Sequence, residues 1–195
     1  MNLEKMRKQL AKDLDDDRLE HSLSVAYTAT NLACIYGVDV EEALIAGYLH
    51  DCAKCFSDDK KLDLAKKYDI KVSKIEKDHP TLLHAKLGAE LARDKYDVED
   101  RGILDAIKFH TMGRADMSKL EQVIFVADYI EPNRNKAPDL LEIRKLAFTD
   151  LDLATFRVLE GTLAHLKEED KEIEPSTIET FNYYKALIEK RDASE

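Results

Sequence analysis

The sequence predicts an all-α protein, a bundle of many helices, and three observations carry that prediction. Apolar residues recur at three- and four-residue spacing through most segments. Ser or Asp stands three residues before Glu at several segment starts, as in a capping box. Glycine and proline fall where those patterns stop or start, as at Gly37, Pro80, Gly113, Pro132 and Pro175.

Met1 to Leu14 places Leu3, Met6, Leu10 and Leu14 at helical spacing, and the acidic run Asp15, Asp16, Asp17 reads as its end. A second helix runs from about Arg18 to Tyr36, with Gly37 as its stop. Its stripe is Val25, Ala29, Leu32 and Tyr36, and four residues before Val25 stands His21. Asp39 and Glu42 start a third helix whose inner face is Ala43, Ala46, Gly47 and His50. Glycine inside a helix costs about 1 kcal/mol relative to alanine, so Gly47 points to the close approach of another helix, with that of His21 the candidate.

Ser57 begins a short helix through Leu62, Ala65 and Tyr68, and Ser73 with Glu76 gives a further capping signal. Asp78, His79 and Pro80 open a longer helix with the stripe Leu83, His84, Leu87, Gly88 and Leu91, His79 facing solvent. Asp97 reads as the cap of the next helix, whose stripe Ile103, Ala106, Ile107 runs into His110. Ser118 and Glu121 then start the most apolar helix of the chain, hydrophobic nearly all round and therefore central, and it carries Asp128. A carboxylate in such a place is costly unless it meets a cation or several donors, so a metal ligand outweighs a buried salt bridge there. Leu140 to Ala147, Leu151 to Leu166 and Thr177 to Ile188 complete the helices, and Glu168 to Ser176 reads as a loop.

A chain of 195 residues suits one domain, taken as residues 1–195. The net charge of −10 disfavours a nucleic-acid partner, since that binding is driven by Lys and Arg, but leaves room for a small anion in a basic pocket. No apolar run approaches the roughly 20 residues that span a bilayer, so no membrane partner is expected. Cys34, Cys52 and Cys55 are too few for a disulfide framework, no leader-like segment opens the chain, and a cytoplasmic location is expected. Cys52 and Cys55 form a Cys-x-x-Cys without the further ligands of a zinc site.

His50 and Asp51 stand side by side, offering a nitrogen and a hard oxygen to one cation, a mix that suits iron, manganese or zinc. His21, His84, His110 and Asp128 each lie in or at the end of an apolar segment. Grouped together, these side chains would hold a cation that brings the pKa of water from 15.7 to about 7 and polarises a phosphoryl oxygen. Lys54, one turn beyond His50, and Arg134, in the loop after Asp128, would neutralise phosphate charge. The chemistry so assembled is phosphoester or phosphoanhydride hydrolysis.

The order His21, His50-Asp51, Asp128, with His84 and His110 between, resembles the HD superfamily of metal-dependent phosphohydrolases, a resemblance that implies an HD-domain-like multi-helix bundle around a buried metal site. Leu82-Leu83-His84, His110-Thr111-x-Gly113, Met117-Ser118-x-Leu120-Glu121, Ala127-Asp128-Tyr129-Ile130-Glu131-Pro132-x-Arg134 and the tail around Pro175 and Thr177 resemble the YqeK-type symmetrical bis(5′-nucleosyl)-tetraphosphatases. That resemblance implies an iron centre on His21, His50, Asp51 and Asp128, of one or two ions, with manganese or another divalent metal as alternative. It implies catalytic roles for Asp51, Lys54, His84 and His110, and cleavage of diadenosine tetraphosphate into two ADP. It implies a nucleotide partner held by Arg18, by Leu83, His84, Ala85 and Lys86, by His110 and Arg134, and by Lys171, Glu172, Ile173, Glu174, Pro175 and Ser176. Whether His84 and His110 meet a second ion or only phosphate stays open, as does a homodimer. The chain departs from the family pattern at Cys52, Cys55 and Met112. Two other readings stand beside it: a different HD-type nucleotidase acting on a monophosphate or a guanosine alarmone, and a non-catalytic nucleotide- or metal-binding module.

Overall fold

The computed structural model describes residues 2–137 and 139–193, and all regular structure among them is helical. Met1, which the expected first helix included, lies outside the described residues. Helix α1 (Leu3–Asp13) is capped by Asn2, which accepts from the Lys5 amide. The acidic run belongs not to the end of α1 but to the start of α2 (Asp16–Tyr36), where Asp15 accepts from the Arg18 amide. Carboxylates are favoured there by the unpaired amides of a helix N-terminus. Gly37 closes α2 in the left-handed conformation, as expected.

Helix α3 (Val40–Leu49) is capped by Asp39 and lies along α2. In α4 (Asp58–Lys67) the buried face is Lys61, Leu64 and Ala65 rather than Leu62 and Tyr68, which are half-buried. The Lys61 ammonium is drawn inward to donate to the Phe56 carbonyl at 2.5 Å. The capping box of Ser73 and Glu76 starts α5 (Lys74–Asp78) as read.

The boundaries on either side of α6 also differ from the sequence reading. Pro80 opens only a 3₁₀ turn, Pro80–Leu83, and α6 (His84–Tyr96) begins at His84. The backbone amide and ring Nδ1 of His84 both bond the Thr81 carbonyl, which holds the tighter winding in place. Asp97 does not cap α7 (Arg101–Phe109); it ends α6 at φ 57°, a region Asp tolerates better than most residues, and Asp100 caps α7.

The capping box of Ser118 and Glu121 starts α8 (Lys119–Ile130), again as read. Then come α9 (Leu140–Ala147), α10 (Leu151–Glu168) and α11 (Pro175–Asp192), the last starting on Pro175 itself at the position proline favours. Helix α8 packs against α2, α3, α7, α9 and α10 and is buried along most of its length. Its fully buried Val123, Ile124 and Val126 each contribute about 1.5–3 kcal/mol. The main core runs from Met6 to Tyr184, and a smaller cluster of Ala53, Leu64, Ala65, Leu83 and Leu87 lies under α4. No helix among the described residues is long and apolar enough to cross a membrane.

Candidate metal centre

Three histidines sit where a helix starts or stops. His50 follows α3, His110 follows α7, and His84 is the first residue of α6. In each ring Nδ1 lies within hydrogen-bond distance of the carbonyl three residues back: Gly47 at 2.7 Å, Ile107 at 2.7 Å and Thr81 at 2.6 Å. A carbonyl only accepts, so each Nδ1 carries the hydrogen and each Nε2 presents a lone pair. Those lone pairs converge. The Nε2 atoms of His84 and His110 are 3.2 Å apart, and those of His50 and His21 also 3.2 Å. The second turn of α2 supplies His21, whose Nδ1 faces the buried Glu131 carboxylate at 3.5 Å.

Asp51 lies at the junction of these rings and is buried. Its Oδ1 has no hydrogen-bond partner, though His84 Nε2 and His110 Nε2 are 3.2 and 3.6 Å away. Its Oδ2 accepts from Arg18 at 2.7 Å and is 3.8 Å from His21 and 3.7 Å from His50. Asp128 approaches from α8, with Oδ1 3.2 Å from His21 Nε2 and 3.0 Å from an Arg134 nitrogen. Salt bridge and ligand readings of Asp128 therefore meet in one place, since the arginine holds the carboxylate beside the imidazoles.

The side chains fit a divalent cation. An orphaned buried carboxylate oxygen among imidazole lone pairs is the arrangement a cation completes, and nitrogen with carboxylate oxygen suits first-row divalent metals. Three sets of ligand atoms each lie within 4.8 Å of one another: His21, His50 and Asp51; His50, His110 and Asp128; and Asp51, His84 and His110. The first and third share Asp51.

Burial sets the charge states. It pushes His50 down to about 4, the Asp51 charge opposing, and His84 down to about 3 with the help of Lys54 and His110. Both rings are neutral near pH 7, the form that binds metal. Burial would raise the Asp51 carboxyl, but His50, His110 and Lys54 outweigh it and hold it well below the usual carboxylate range. Asp128 is likewise held low, its bond with His21 outweighing burial. Burial would lower His21, yet Asp128 and Asp51 leave it raised. Burial also lowers Lys54, whose ammonium is 3.2 Å from His84 Nε2 and 3.9 Å from Asp51.

The remaining residues expected at the site divide among several places. Arg18 and Arg134 line, with His21 and Glu131, a cleft of about 480 Å³. Leu83 and Ala85 are fully buried, Leu83 within the small core cluster, so their side chains do not reach a surface. Lys86 bonds the Lys71 carbonyl and the Glu76 carboxylate. With Lys108, Met112, Glu174 and Ser176 it lines a second hollow of about 240 Å³. Glu174 accepts from the Ser73 hydroxyl. Lys171, Glu172 and Pro175 are exposed and Ile173 is half-buried, none of them in that lining. Cys52 and Cys55 do not meet: the buried Cys52 thiol donates to the Gly88 carbonyl and Cys55 to Asp15.

Two residues at the centre have no role in the sequence reading. The Thr111 hydroxyl is 3.2 Å from His84 Nε2 and 3.1 Å from His110 Nε2. Glu131 backs His21, and its spacing of three from Asp128 on the same helical face was the available signal.

Comparison with known proteins identifies the family. The HD domain family matches residues 18–133. A symmetrical bis(5′-nucleosyl)-tetraphosphatase of Halalkalibacterium halodurans is 37% identical over 191 residues, 98% of this chain and 100% of that protein. One of Bacillus subtilis is 37% identical over 183 residues, 94% and 97% of the two chains. A crystal structure of a predicted HD superfamily hydrolase of Clostridium acetobutylicum, described as involved in NAD metabolism, aligns with a TM-score of 0.92 at 35% identity, covering 96% of this chain and 98% of that one.

Proposed function

The chain belongs to the HD-domain family and, within it, to the symmetrical bis(5′-nucleosyl)-tetraphosphatases, and from that premise we propose that it hydrolyses dinucleoside tetraphosphates, splitting diadenosine tetraphosphate into two ADP. The observation that supports this most is the orphaned Asp51 Oδ1 among imidazoles, with Arg18 and Arg134 on the two neighbouring carboxylates. A cation site bracketed by two guanidinium groups suits a chain of phosphates.

His21, His50, Asp51 and Asp128 hold the ion in this reading. We take it to be iron, one or two ions, with manganese as the alternative the same donors accept. When bound, the ion supplies Lewis acidity, polarising a phosphoryl oxygen and acidifying water. The protein does the rest. Glu131 stands 3.5 Å from His21 Nδ1 and orients it, and the carbonyls of Gly47, Thr81 and Ile107 hold the other three rings, which need not turn when phosphate arrives. Lys54 is two-thirds buried, and its ammonium faces Asp51 and His84, where it offsets phosphate charge in a partly dry setting. The Thr111 hydroxyl, between His84 and His110, offers a hydrogen bond to a phosphoryl oxygen. Arg18 and Arg134 share their donors between carboxylate and phosphate.

One nucleoside half goes to the hollow of Lys86, Glu174 and Ser176, which leaves the central bridge of the phosphate chain at Asp51 and Asp128. The whole chain, 1–195, acts as one domain in this account, supported by a main core that takes side chains from Met6 to Tyr184. Three unpaired thiols suit a reducing, cytoplasmic setting.

The test is a nucleotide panel with the purified protein under anaerobic Fe(II), in water labelled with ¹⁸O. Diadenosine tetraphosphate should give ADP alone, with the label in one of the two molecules formed per turnover. Equal AMP and ATP would overturn symmetrical cleavage. Turnover only of a monophosphate or a guanosine alarmone would favour another nucleotidase, and tight binding without turnover in Fe(II) or Mn(II) a binding module.

A further inference from the structure

A third hollow, of about 350 Å³, opens between α8, α10 and residues 134–137. It shares His110, Thr111 and Asp128 with the metal centre. Its deep wall is apolar, built from the buried Phe125 and Val158 with Leu166, and its outer wall carries Thr162 and the exposed Lys136. Arg134, on the Asp128 carboxylate, lies where this hollow and the cleft of Arg18 and His21 meet. An apolar interior reached past two cations and a metal centre has the chemistry of a nucleoside joined to phosphate. The volume is within the roughly 300–1,000 Å³ of small-molecule sites.

Phe109, Met112 and Gly113 line the Lys86 hollow, whereas His110 and Thr111 line this one. One turn of chain, carrying a histidine of the metal centre, divides the two hollows. A substrate with a nucleoside at each end of four phosphates, cut at its middle, needs two such places on either side of the reacting phosphorus. A single nucleoside site would not distinguish it from a mononucleoside polyphosphate.

Gly161 belongs to the same wall. It sits in the interior of α10, where glycine costs about 1 kcal/mol relative to alanine. A Cβ there would come 3.2 Å from the Tyr129 hydroxyl oxygen, which also lines the hollow. The missing side chain thus lets α10 and Tyr129 share the wall without filling the space beside it.

We propose that the hollow between α8 and α10 binds the second nucleoside of a dinucleoside polyphosphate, its base against Phe125, Val158 and Leu166 and its phosphates toward Arg134 and Lys136. This rests on the tetraphosphatase reading and adds the site that makes the enzyme choose two nucleosides over one.

The test has two arms. Photolysis of the wild-type, metal-loaded protein with diadenosine tetraphosphate carrying 8-azidoadenine at both ends should label the α10 peptide that contains Val158 to Leu166. Labelling elsewhere only would overturn the proposal. In the second arm Thr162→Trp fills the hollow from its outer wall. The preference for diadenosine tetraphosphate over adenosine 5′-tetraphosphate, read as the competitive Ki of the latter over the KM of the former, should fall about tenfold. An unchanged ratio in a protein of unchanged melting temperature would overturn the proposal; if the variant does not fold, the wild-type labelling decides. A wild-type protein that labels at α10 yet turns over no dinucleotide would keep the nucleoside site and sink the tetraphosphatase reading instead.

Discussion

A side chain on Gly47 would collide with Ala26: a Cβ built there comes 2.5 Å from the Ala26 Cα and 3.0 Å from its Cβ and backbone nitrogen. Backbone cannot swing aside, so the absence of a side chain at Gly47 is what lets α3 lie against α2. The contact is three residues before His50 and five after His21, so it also sets the spacing of two metal-centre rings whose Nε2 atoms are 3.2 Å apart. Gly47→Val should destabilise the fold by about 1–3 kcal/mol, the usual range for overpacking, or more. In a protein of this size that lowers the melting temperature by roughly 2–4 °C per kcal/mol. Metal content should fall in step. A melting temperature equal to the wild type would mean the helices are not so close.

Asp51→Ala and Asp128→Ala should each abolish metal binding and hydrolysis while the far-ultraviolet circular dichroism keeps its helical form, because the apolar stripes are untouched. Glu131→Gln acts at one remove. It keeps the shape but weakens the hold on His21 Nδ1, and metal affinity should drop by roughly 10–100-fold, the usual effect of a group that orients a ligand. Metal titration monitored by calorimetry separates the two outcomes, and normal metal content in either alanine variant would sink the ligand assignment.

Arg134→Ala should weaken nucleotide binding or turnover by roughly 1.5–3 kcal/mol, the range for a charged hydrogen bond, while metal stays bound. The arginine donates to Asp128 through both its side-chain oxygen and its backbone carbonyl, so a purely structural role would instead show as lost metal or lowered melting temperature. Kinetics against metal content, measured on one preparation, distinguishes them.

Acid stability should depend in part on Asp13, which is not among the metal-centre side chains. Burial would raise its carboxyl, but bonds from Lys95 and Tyr96, each at 2.6 Å, more than offset that and leave it below its ordinary value of 3.8. A carboxyl depressed by folding stabilises the fold above its unfolded pKa and loses that contribution as pH falls through its folded value. Asp13→Asn should therefore cost about 1 kcal/mol at neutral pH, a modest figure because Lys95 is 42% exposed. The gap should narrow as pH drops below about 4. Urea unfolding of both proteins at several pH values reads this, and a gap independent of pH would remove the ion pair from the account.

The sequence by itself determined most of the buried faces, with α4, where Lys61 turns inward, the exception. Helical periodicity places His21, His50, His84, His110 and Asp128 on or at the end of apolar stripes, and a polar group on such a face requires a partner. Local chemistry also determined several ends, among them Gly37 and the Ser118 to Glu121 box, since a cap is made within four residues. Other ends were decided by tertiary structure. Asp97 and Asp100 are both able to cap, and Pro80 is able to start either an α-helix or a 3₁₀ turn; each choice differs locally by an amount comparable to one hydrogen bond, so packing settles it. Spacing by itself says which way a side chain faces on its own helix, so the grouping of His21, His50, Asp51 and Asp128 came from the resemblance and the approach of α3 to α2 from Gly47, while the places of Thr111 and Glu131 came only from the structure. Thr111 joins His84 from 27 residues away, and Phe125 and Val158 enclose one hollow from two different helices. Those meetings follow from the azimuth and separation of packed helices, which only the assembled core fixes.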